Sequence, residues 1–468
     1  MAGETLELIS PVDGSIHAVR PAESARELTA MIGRASAAQR HWRQVPVENR
    51  AAIVERAFAA LERKADEAAV ELAWQIGRPV GEGAGEIQRA ADRARYMAGI
   101  ARTSIDEIEV APGRAISWEP VGIVLIVAPW NYPYLTATNA LAPALASGNA
   151  VILKHSFQTA LVAERIAAAF ASAGLPPDVL QILPCTNPTT LDAVSRPEFG
   201  RVVFTGSVEV GRIIAAAAAP NFTPVTLELG GKDAAYVCDD ADLQSAIENL
   251  ADGAFYNSGQ SCCGVERIYV DRSCYQAFVE GLAEQAGRLR LGDPLDPRTS
   301  LGPMARSEGA AFVRRQIEEA VERGARRMLG AGSGDGHYVP PEILVDVDHR
   351  MSVMRDESFG PVVGVVPVES EDEAVRLIND TRFGLTASIW TSDSGRARRV
   401  GDQLDVGTVY QNRCDYLDPA LPWSGRRDSG SGLSLSKFAF ASFNRPKSRL
   451  WPAPDALVSQ TACLAAQH

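Results

Sequence analysis

The chain has 468 residues, 46% hydrophobic and 22% charged, with a formal net charge of −12. So apolar a composition excludes global disorder, because the chain buries enough surface to offset its ordering entropy. The acidic balance excludes a general nucleic-acid or anionic-membrane binder, which needs a positive field.

Length suggests about three domains at roughly 150 residues each. The N-terminus, Met-Ala-Gly-Glu-Thr, carries no basic segment followed by an apolar one, so no signal peptide is expected. Residues 36–73 are rich in Ala, Glu and Arg, with Val54, Phe58, Leu61, Val70, Leu72 and Trp74 at helical spacing, and read as a helix pair. Val121 to Val127 is a continuous run rich in β-branched residues, as in a strand buried on both faces; with no apolar run reaching about 20 residues, a membrane span is not expected. Thr136–Leu145 reads as a helix interrupted by Pro143, then Ala150–Leu153 as a strand and Thr159–Ala171 as a helix. Strand signals repeat at Val179–Leu183, Arg201–Phe204 and Val225–Leu229, with a helix over Val210–Ala218. The second half is of the same kind. It has helices at Ala241–Asn257, Glu308–Arg323 and Glu371–Asn379, strands at Arg267–Val270, Val362–Val368 and Leu385–Trp390, and a Gly-rich surface loop over 330–336. Residues 104–120 and 441–452 read as strands at the domain ends. Alternation of strands and helices predicts an α/β fold with two open parallel sheets in close contact.

The seven cysteines are sparse and odd in number, Cys262 and Cys263 are adjacent, and no CxxC pair offers a zinc site. Reduced thiols, a cytoplasmic location and no metal are therefore expected. Cys262 follows Asn257-Ser258-Gly259-Gln260-Ser261 between a helix and a strand, where a thiolate can act as a nucleophile; a lone cysteine also packs readily as a small core residue. Glu228, at the end of an apolar strand before Gly230-Gly231-Lys232, sits where open α/β sheets bind ligands. Partial burial would make it a general base; a solvated or Lys232-paired glutamate is the alternative. The turn Thr205-Gly206-Ser207 joins strand to helix and suits a phosphate, although GxGxxG is absent and a simple helix cap explains the residues too. In Pro129-Trp130-Asn131-Tyr132-Pro133 the prolines fix the backbone, and Asn131 either satisfies that backbone or faces a developing oxyanion.

Taken together and in order, these segments resemble the aldehyde dehydrogenase superfamily over nearly the whole chain. The matches are PWNYP at 129–133, Lys154, FTGSVEVG at 204–211, ELGGK at 228–232, GQSC at 259–262 with Arg267, ESFGPV at 357–362, the stretch Asn379 to Leu385, and PWSG with SGSG at 422–432. The resemblance implies a non-acylating, NAD(P)-dependent enzyme. Its dinucleotide-binding domain would comprise 1–103 and 121–231, its catalytic domain 232–433, and a small β oligomerisation arm with the C-terminal tail 104–120 and 434–468. It implies Cys262 as nucleophile, Asn131 with the Cys262 backbone N–H as oxyanion hole, and Glu228 as the base that activates water. Cofactor contacts carried over by position are Trp130, Lys154, Ser156, Phe157, Gly206, Ser207, Val210, Leu229, Gly230, Glu357 and Phe359. The substrate tunnel would be lined by Tyr132, Thr136, Asn139, Tyr256, Ser261, Cys263, Asp415, Leu417 and Trp423, with Asp415 its only charge. An uncharged aromatic or medium-sized aldehyde fits that lining. A homodimer or homotetramer is implied, and neither a nucleic-acid nor a membrane partner.

Some positions depart from the family pattern. Phe157 stands where many members carry a glutamate for the adenosine ribose, so use of both NAD and NADP is expected, with Lys154 and His155 offering positive charge to a 2′-phosphate. Ala140 and Ser434 replace a Lys and a Glu thought to form a second proton-relay pair, and Cys185 replaces a glycine near the nucleotide crevice. Two other readings remain: a CoA-acylating semialdehyde dehydrogenase, disfavoured because that group lacks the base glutamate, and a catalytically silent protein of the same fold, disfavoured by the joint presence of Cys262, Asn131 and Glu228.

Overall fold

The computed structural model describes residues 4–329 and 334–451. Two open sheets meet end to end. In the first, the strands run in the order Gly430–Ser431, Val225–Glu228, Phe199–Thr205, Ile123–Ala128, Ala150–His155, Leu180–Ile182. All are parallel except the short first one, which runs antiparallel to Val225–Glu228. Strand order reverses between Ile123–Ala128 and Phe199–Thr205, which opens a crevice at their carboxyl ends, the usual ligand site of such sheets. Residues Ile123–Ala128 are buried throughout, as expected of a strand covered by helices on both faces.

The second sheet runs Arg326–Arg327, Glu342–Val345, Val362–Val368, Val265–Asp271, Asp233–Val237, Thr386–Trp390, Thr408–Gln411, parallel except at its first pair. Only Leu229-Gly230-Gly231-Lys232 separates the last long strand of one sheet from the first of the other. A side chain on Gly231 would meet the Cys262 carbonyl at 2.5 Å, and one on Gly230 the Glu357 carboxylate at 2.1 Å. The carboxyl ends of the first sheet therefore face the amino ends of the second at a distance that only glycines permit.

A third, antiparallel sheet joins Ile108–Ala111, Arg114–Pro120 and Asn444–Leu450, in which the last strand is exposed beyond Asn444. A hairpin of Thr5–Ile9 and Ile16–Pro21 precedes the helices and had no counterpart in the sequence reading.

The structure corrects several expected elements. The N-terminal helical region holds four helices, Ala25–Trp42, Val47–Glu62, Ala65–Ile76 and Val80–Ile105, rather than a pair. They are punctuated by a Ser24–Glu27 capping box, by Pro46 and Pro79 at helix starts, and by Gly77 at φ 76°. Pro143 does not interrupt its helix, which runs Pro133–Ala146 with Pro143 in the last turn; the Ser147 amide bonds to the Pro143 carbonyl at 3.0 Å. Helix Val208–Ala218 starts two residues early because Ser207 caps it, accepting from the Val210 amide. In the arm, Ser104 and Ile105 still belong to the long helix and Ala439–Phe443 is helical, while position 452 lies outside the described residues. So do positions 330–333 of the Gly-rich stretch and 452–468 of the tail. Finally, Gly430 and Ser431 return to the edge of the first sheet, although they fall within the span 232–433 expected to belong to the second unit.

Candidate active site

Cys262 lies three residues before strand Val265–Asp271, on a turn that enters through Asn257 and Ser258 at φ 53° and 56° and Gly259 at φ 69°. Left-handed non-glycine residues cost of order 1–3 kcal/mol each and persist only where the surroundings over-determine them. Here they do. Asn257 accepts from Arg78 Nε at 3.1 Å and donates to the Asn131 carbonyl at 3.1 Å. Ser258 Oγ donates to the Gly302 carbonyl at 2.8 Å. Gln260 donates to the Asn257 carbonyl at 3.0 Å and accepts from the Ala305 amide at 2.9 Å. Arg78, wholly buried, is paired with Glu86 and also donates to the Asn131 carbonyl. Glu86 in turn accepts the amides of Tyr134 and Leu135 at 2.8 and 3.2 Å. A single network thus ties the cysteine turn to the PWNYP turn and to the first residues of the helix behind it.

Asn131 Nδ2 donates to the Gln260 carbonyl at 3.1 Å. An amide nitrogen carries two hydrogens, so the bond to the Gln260 carbonyl, two residues before Cys262, uses one N–H and leaves the other spare. The backbone-satisfying reading of Asn131 is thus observed. Cys262 is half-buried, whereas Cys263 is buried and donates to Asp415 Oδ1 at 2.9 Å. The neighbouring Cys262, burial and the Asp415 charge all push the Cys263 thiol well above its ordinary pKa, so it stays protonated.

Glu228 is buried at the end of its strand, and desolvation raises its pKa. Ser434, Asn139, Arg93 and Thr205 surround it and oppose that rise, yet Oε1 has no hydrogen-bond partner, nor has the buried Ser434 hydroxyl. Lys232 is not its partner. That ammonium is buried against Glu266 and Ser358, and Glu266 also accepts the amides of Ser358 and Phe359. Ser434 reaches the site because its segment follows the short strand Gly430–Ser431, which pairs beside Glu228, and bridges back to Trp423.

The residues carried over as cofactor contacts fall at or just beyond the carboxyl ends of strands of the first sheet, or just before strand Val362–Val368 of the second. Trp130 and Phe359 meet edge to face at 5.6 Å. Glu357 accepts the Gly231 amide at 3.1 Å, and desolvation and the nearby Glu266 push its carboxyl up to about 8. Gly206 and Ser207 open helix Val208–Ala218 with their backbone at the crevice, and Val210 is exposed one turn in. Leu229 is instead buried, packed so closely on Gly211 that a Cβ there would stand 2.6 Å from it. Lys154 and Ser156 are half-buried at the end of strand Ala150–His155, and Phe157 opens a short 3₁₀ turn. His155 does not offer a charge to this crevice. It is buried, its ring meets the Pro133 carbonyl and Thr159 Oγ1, and burial depresses its pKa to about 4. The half-buried Lys154 makes no ion pair among the described residues, and although the Gly206 amide is taken by the Glu228 carbonyl at 3.1 Å, Ser207 is exposed at the N-terminus of helix Val208–Ala218, so these groups fit a dinucleotide phosphate.

On the substrate side, Tyr132 and Tyr256 lie nearly parallel with centroids 6.4 Å apart, and Ser261 Oγ donates to Asp415 Oδ1 at 2.8 Å. Cys262, Cys263, Tyr132, Leu417 and Trp423 share one apolar cluster. Thr136 spends its hydroxyl on the Tyr132 carbonyl at 2.7 Å. Asn139 is buried beside Glu228 and accepts from Arg93 at 2.7 Å. Asp415 is not the only charge here: the Arg78 guanidinium lies 4.6 Å from the Tyr132 centroid, and Arg89 lies 5.9 Å from that of Tyr256 and donates to its hydroxyl at 3.1 Å.

A model of the family described as "Aldehyde dehydrogenase family" matches residues 1–448. The chain belongs to the aldehyde dehydrogenase family. Members of the family are NAD(P)-dependent oxidoreductases acting on aldehydes, and this chain is such an enzyme. It is 34% identical to a betaine aldehyde dehydrogenase of Rhizobium leguminosarum bv. trifolii over 459 residues, covering 95% of this chain and 93% of that one. Among solved structures, an NAD-dependent aldehyde dehydrogenase from Sinorhizobium meliloti superposes with a TM-score of 0.91 at 31% identity, over 96% of this chain and 93% of the other. An NADP-dependent glyceraldehyde-3-phosphate dehydrogenase from Bacillus halodurans, complexed with NADP, does so with a TM-score of 0.91 at 31% identity, over 96% of both.

Sequence reasoning missed Arg78, Glu86, Arg89 and Arg93. In an Ala-rich helical stretch such charges read as a solvated face. A polar group buried by a neighbouring helix leaves no mark in the local pattern.

Proposed function

We propose that this dehydrogenase is non-acylating, converting its aldehyde to the carboxylic acid through a thiohemiacetal and then a thioester on Cys262. The observation that carries this reading is the convergence of the Cys262 turn, the spare N–H of Asn131 and the buried carboxylate of Glu228 at one sheet junction. The Cys262 thiolate attacks the carbonyl carbon, and Asn131 with the Cys262 backbone N–H stabilises the oxyanion. Gly206, Ser207, Lys154, Trp130, Glu357 and Phe359 would hold NAD(P)+, which when bound would supply the hydride acceptor. Glu228 then takes a proton from water, which attacks the thioester and releases acid and thiolate. A carboxylate whose pKa is raised by burial is a stronger base for that step. Its presence is also the argument against transfer to CoA, in which water must be kept from competing.

An uncharged aromatic or medium-sized aldehyde suits the tunnel. The guanidinium groups of Arg78 and Arg89 border the aromatic rings of Tyr132 and Tyr256, to which a quaternary ammonium would bind. Betaine aldehyde, named for the Rhizobium relative, would compete there with the guanidinium of Arg89, while Arg78 is paired with Glu86. NAD(P)H formation across an aldehyde panel tests this. An uncharged aromatic aldehyde should exceed betaine aldehyde in kcat/KM, and the reverse order would overturn the substrate class.

We further assign 1–103 with 121–231 to dinucleotide binding, 232–433 to catalysis apart from Gly430 and Ser431, and the strands within 104–120 and 434–451 to a homodimeric or homotetrameric contact. The last rests on an exposed strand, Asn444–Leu450, in a three-stranded ribbon with almost no buried residue, whereas a small sheet needs an apolar face or a covering element to be stable. A monomer by light scattering at micromolar concentration would contradict it. A cytoplasmic location accords with the free cysteines among the described residues.

A further inference from the structure

Beside Glu228 stands a charge that the reaction as described does not use. Arg93, on the inward face of helix Val80–Ile105, is buried. Arg78 on the same side of the molecule is neutralised by Glu86. Arg93 makes no ion pair among the described residues. Its guanidinium donates to Asn139 Oδ1 at 2.7 Å and, at 3.4 Å, to the Leu135 carbonyl. A buried cation without a counter-ion is costly, so its retention calls for a compensating charge. The anionic group that faces it is Glu228; the Cys263 thiol, which stays protonated, and Tyr416 are also near, and Arg89 opposes. Burial brings Arg93 down to about 10, which leaves it protonated throughout the neutral range.

The contact with Asn139 has a directional consequence. A guanidinium only donates, so Arg93 fixes which end of the Asn139 amide is oxygen. The Nδ2 hydrogens are thereby turned away from Arg93, on the side where Asn139 meets the Glu228 carboxylate. Thr205 and Ser434 approach the same carboxylate from a strand end and from the returning C-terminal segment, and neither carries charge. Ala140, next in the helix, supplies no polar atom.

We propose that Arg93, acting through Asn139, is a positioning residue for Glu228: by holding the Asn139 oxygen it locks the amide so that its N–H groups are left for the carboxylate. This rests on Glu228 being the base that activates water. Arg93 touches neither substrate nor cofactor, so its loss should spare hydride transfer and slow thioester hydrolysis. A purely structural brace between helices Val80–Ile105 and Pro133–Ala146 would instead weaken both steps together and leave the pH profile in place.

Stopped-flow formation of NAD(P)H, followed into steady state from pH 5 to 10, separates the two in the full-length enzyme. Arg93→Met should give a burst of about one NAD(P)H per active site and then turnover slowed by about 10- to 100-fold at pH 7, a base-catalysis effect. The acidic limb of the kcat profile should move up by about one pH unit, because removing a nearby cation disfavours the carboxylate. Arg93→Lys should restore the limb. Asn139→Leu, which keeps the side-chain volume, should repeat the burst and the slow turnover, and it carries the test if Arg93→Met does not fold. Parallel loss of burst and turnover with an unmoved limb would overturn the proposal. Glu228→Gln run alongside distinguishes the premise: if it turns over at the wild-type rate, the base assignment itself fails.

Discussion

The turn that carries Cys262 and the pocket that holds Glu228 lie in one crevice, yet they spend their polar groups in opposite ways. Around the cysteine, Asn257, Ser258, Gln260, Asn131 and Arg78 are hydrogen-bonded to one another or to backbone. Around the glutamate, Oε1 and the Ser434 hydroxyl are buried with bonds unmade. The nucleophile must be aimed, so its turn is held by these bonds. The base must exchange a proton with water, and a carboxylate saturated with donors would be too weak a base to do so.

The sharpest way to break this contrast is at the nucleophile. Cys262→Ala should reduce NAD(P)H formation from aldehyde by at least about 10³-fold, burst included, because a covalent step is removed. Cys263→Ala should keep most activity, since that thiol is held protonated on Asp415. Near wild-type rates in Cys262→Ala would dismantle the whole mechanism.

On the other side of the crevice, Glu228→Gln should leave the burst and slow steady turnover by about 10²–10⁴-fold, the usual range for a general base. The wild-type enzyme should lose turnover as pH falls through a value above the ordinary carboxylate range. Burial raises the Glu228 pKa, and below it the group is protonated and cannot accept a proton. A kcat profile flat down to the ordinary glutamate range would contradict that assignment.

Asn131→Ala probes the rigid half without touching the nucleophile. A loss of about 10²–10³-fold in kcat is expected for one oxyanion donor, and the burst should slow along with it. If only the slow phase responded, Asn131 would belong with the base instead.

The smallest effect concerns the cofactor. Neither a carboxylate at Phe157 nor a charge on the buried His155 discriminates at the 2′-position, so NAD and NADP should differ by less than about a hundredfold in kcat/KM, under about 3 kcal/mol. A larger preference for NAD would mean that Phe157 blocks the phosphate by bulk, and Phe157→Ser should then recover NADP use.

The sequence by itself determined what depends on short stretches of chain. Runs rich in β-branched residues marked the strands Ile123–Ala128 and Val362–Val368. Cys262, Asn131 and Glu228 stood out because each lies in a motif at a strand end. Tertiary structure alone decided how those residues are supported. Arg78 reaches Asn131 across 53 positions and Asn257 across 179, and Arg93 reaches Asn139 across 46. His155, read as a donor for the cofactor, was turned inward by the packing of its strand against the Pro133 carbonyl. Whether a charged side chain is solvated or buried against a distant partner depends on which helix packs over it, and local periodicity does not encode that choice.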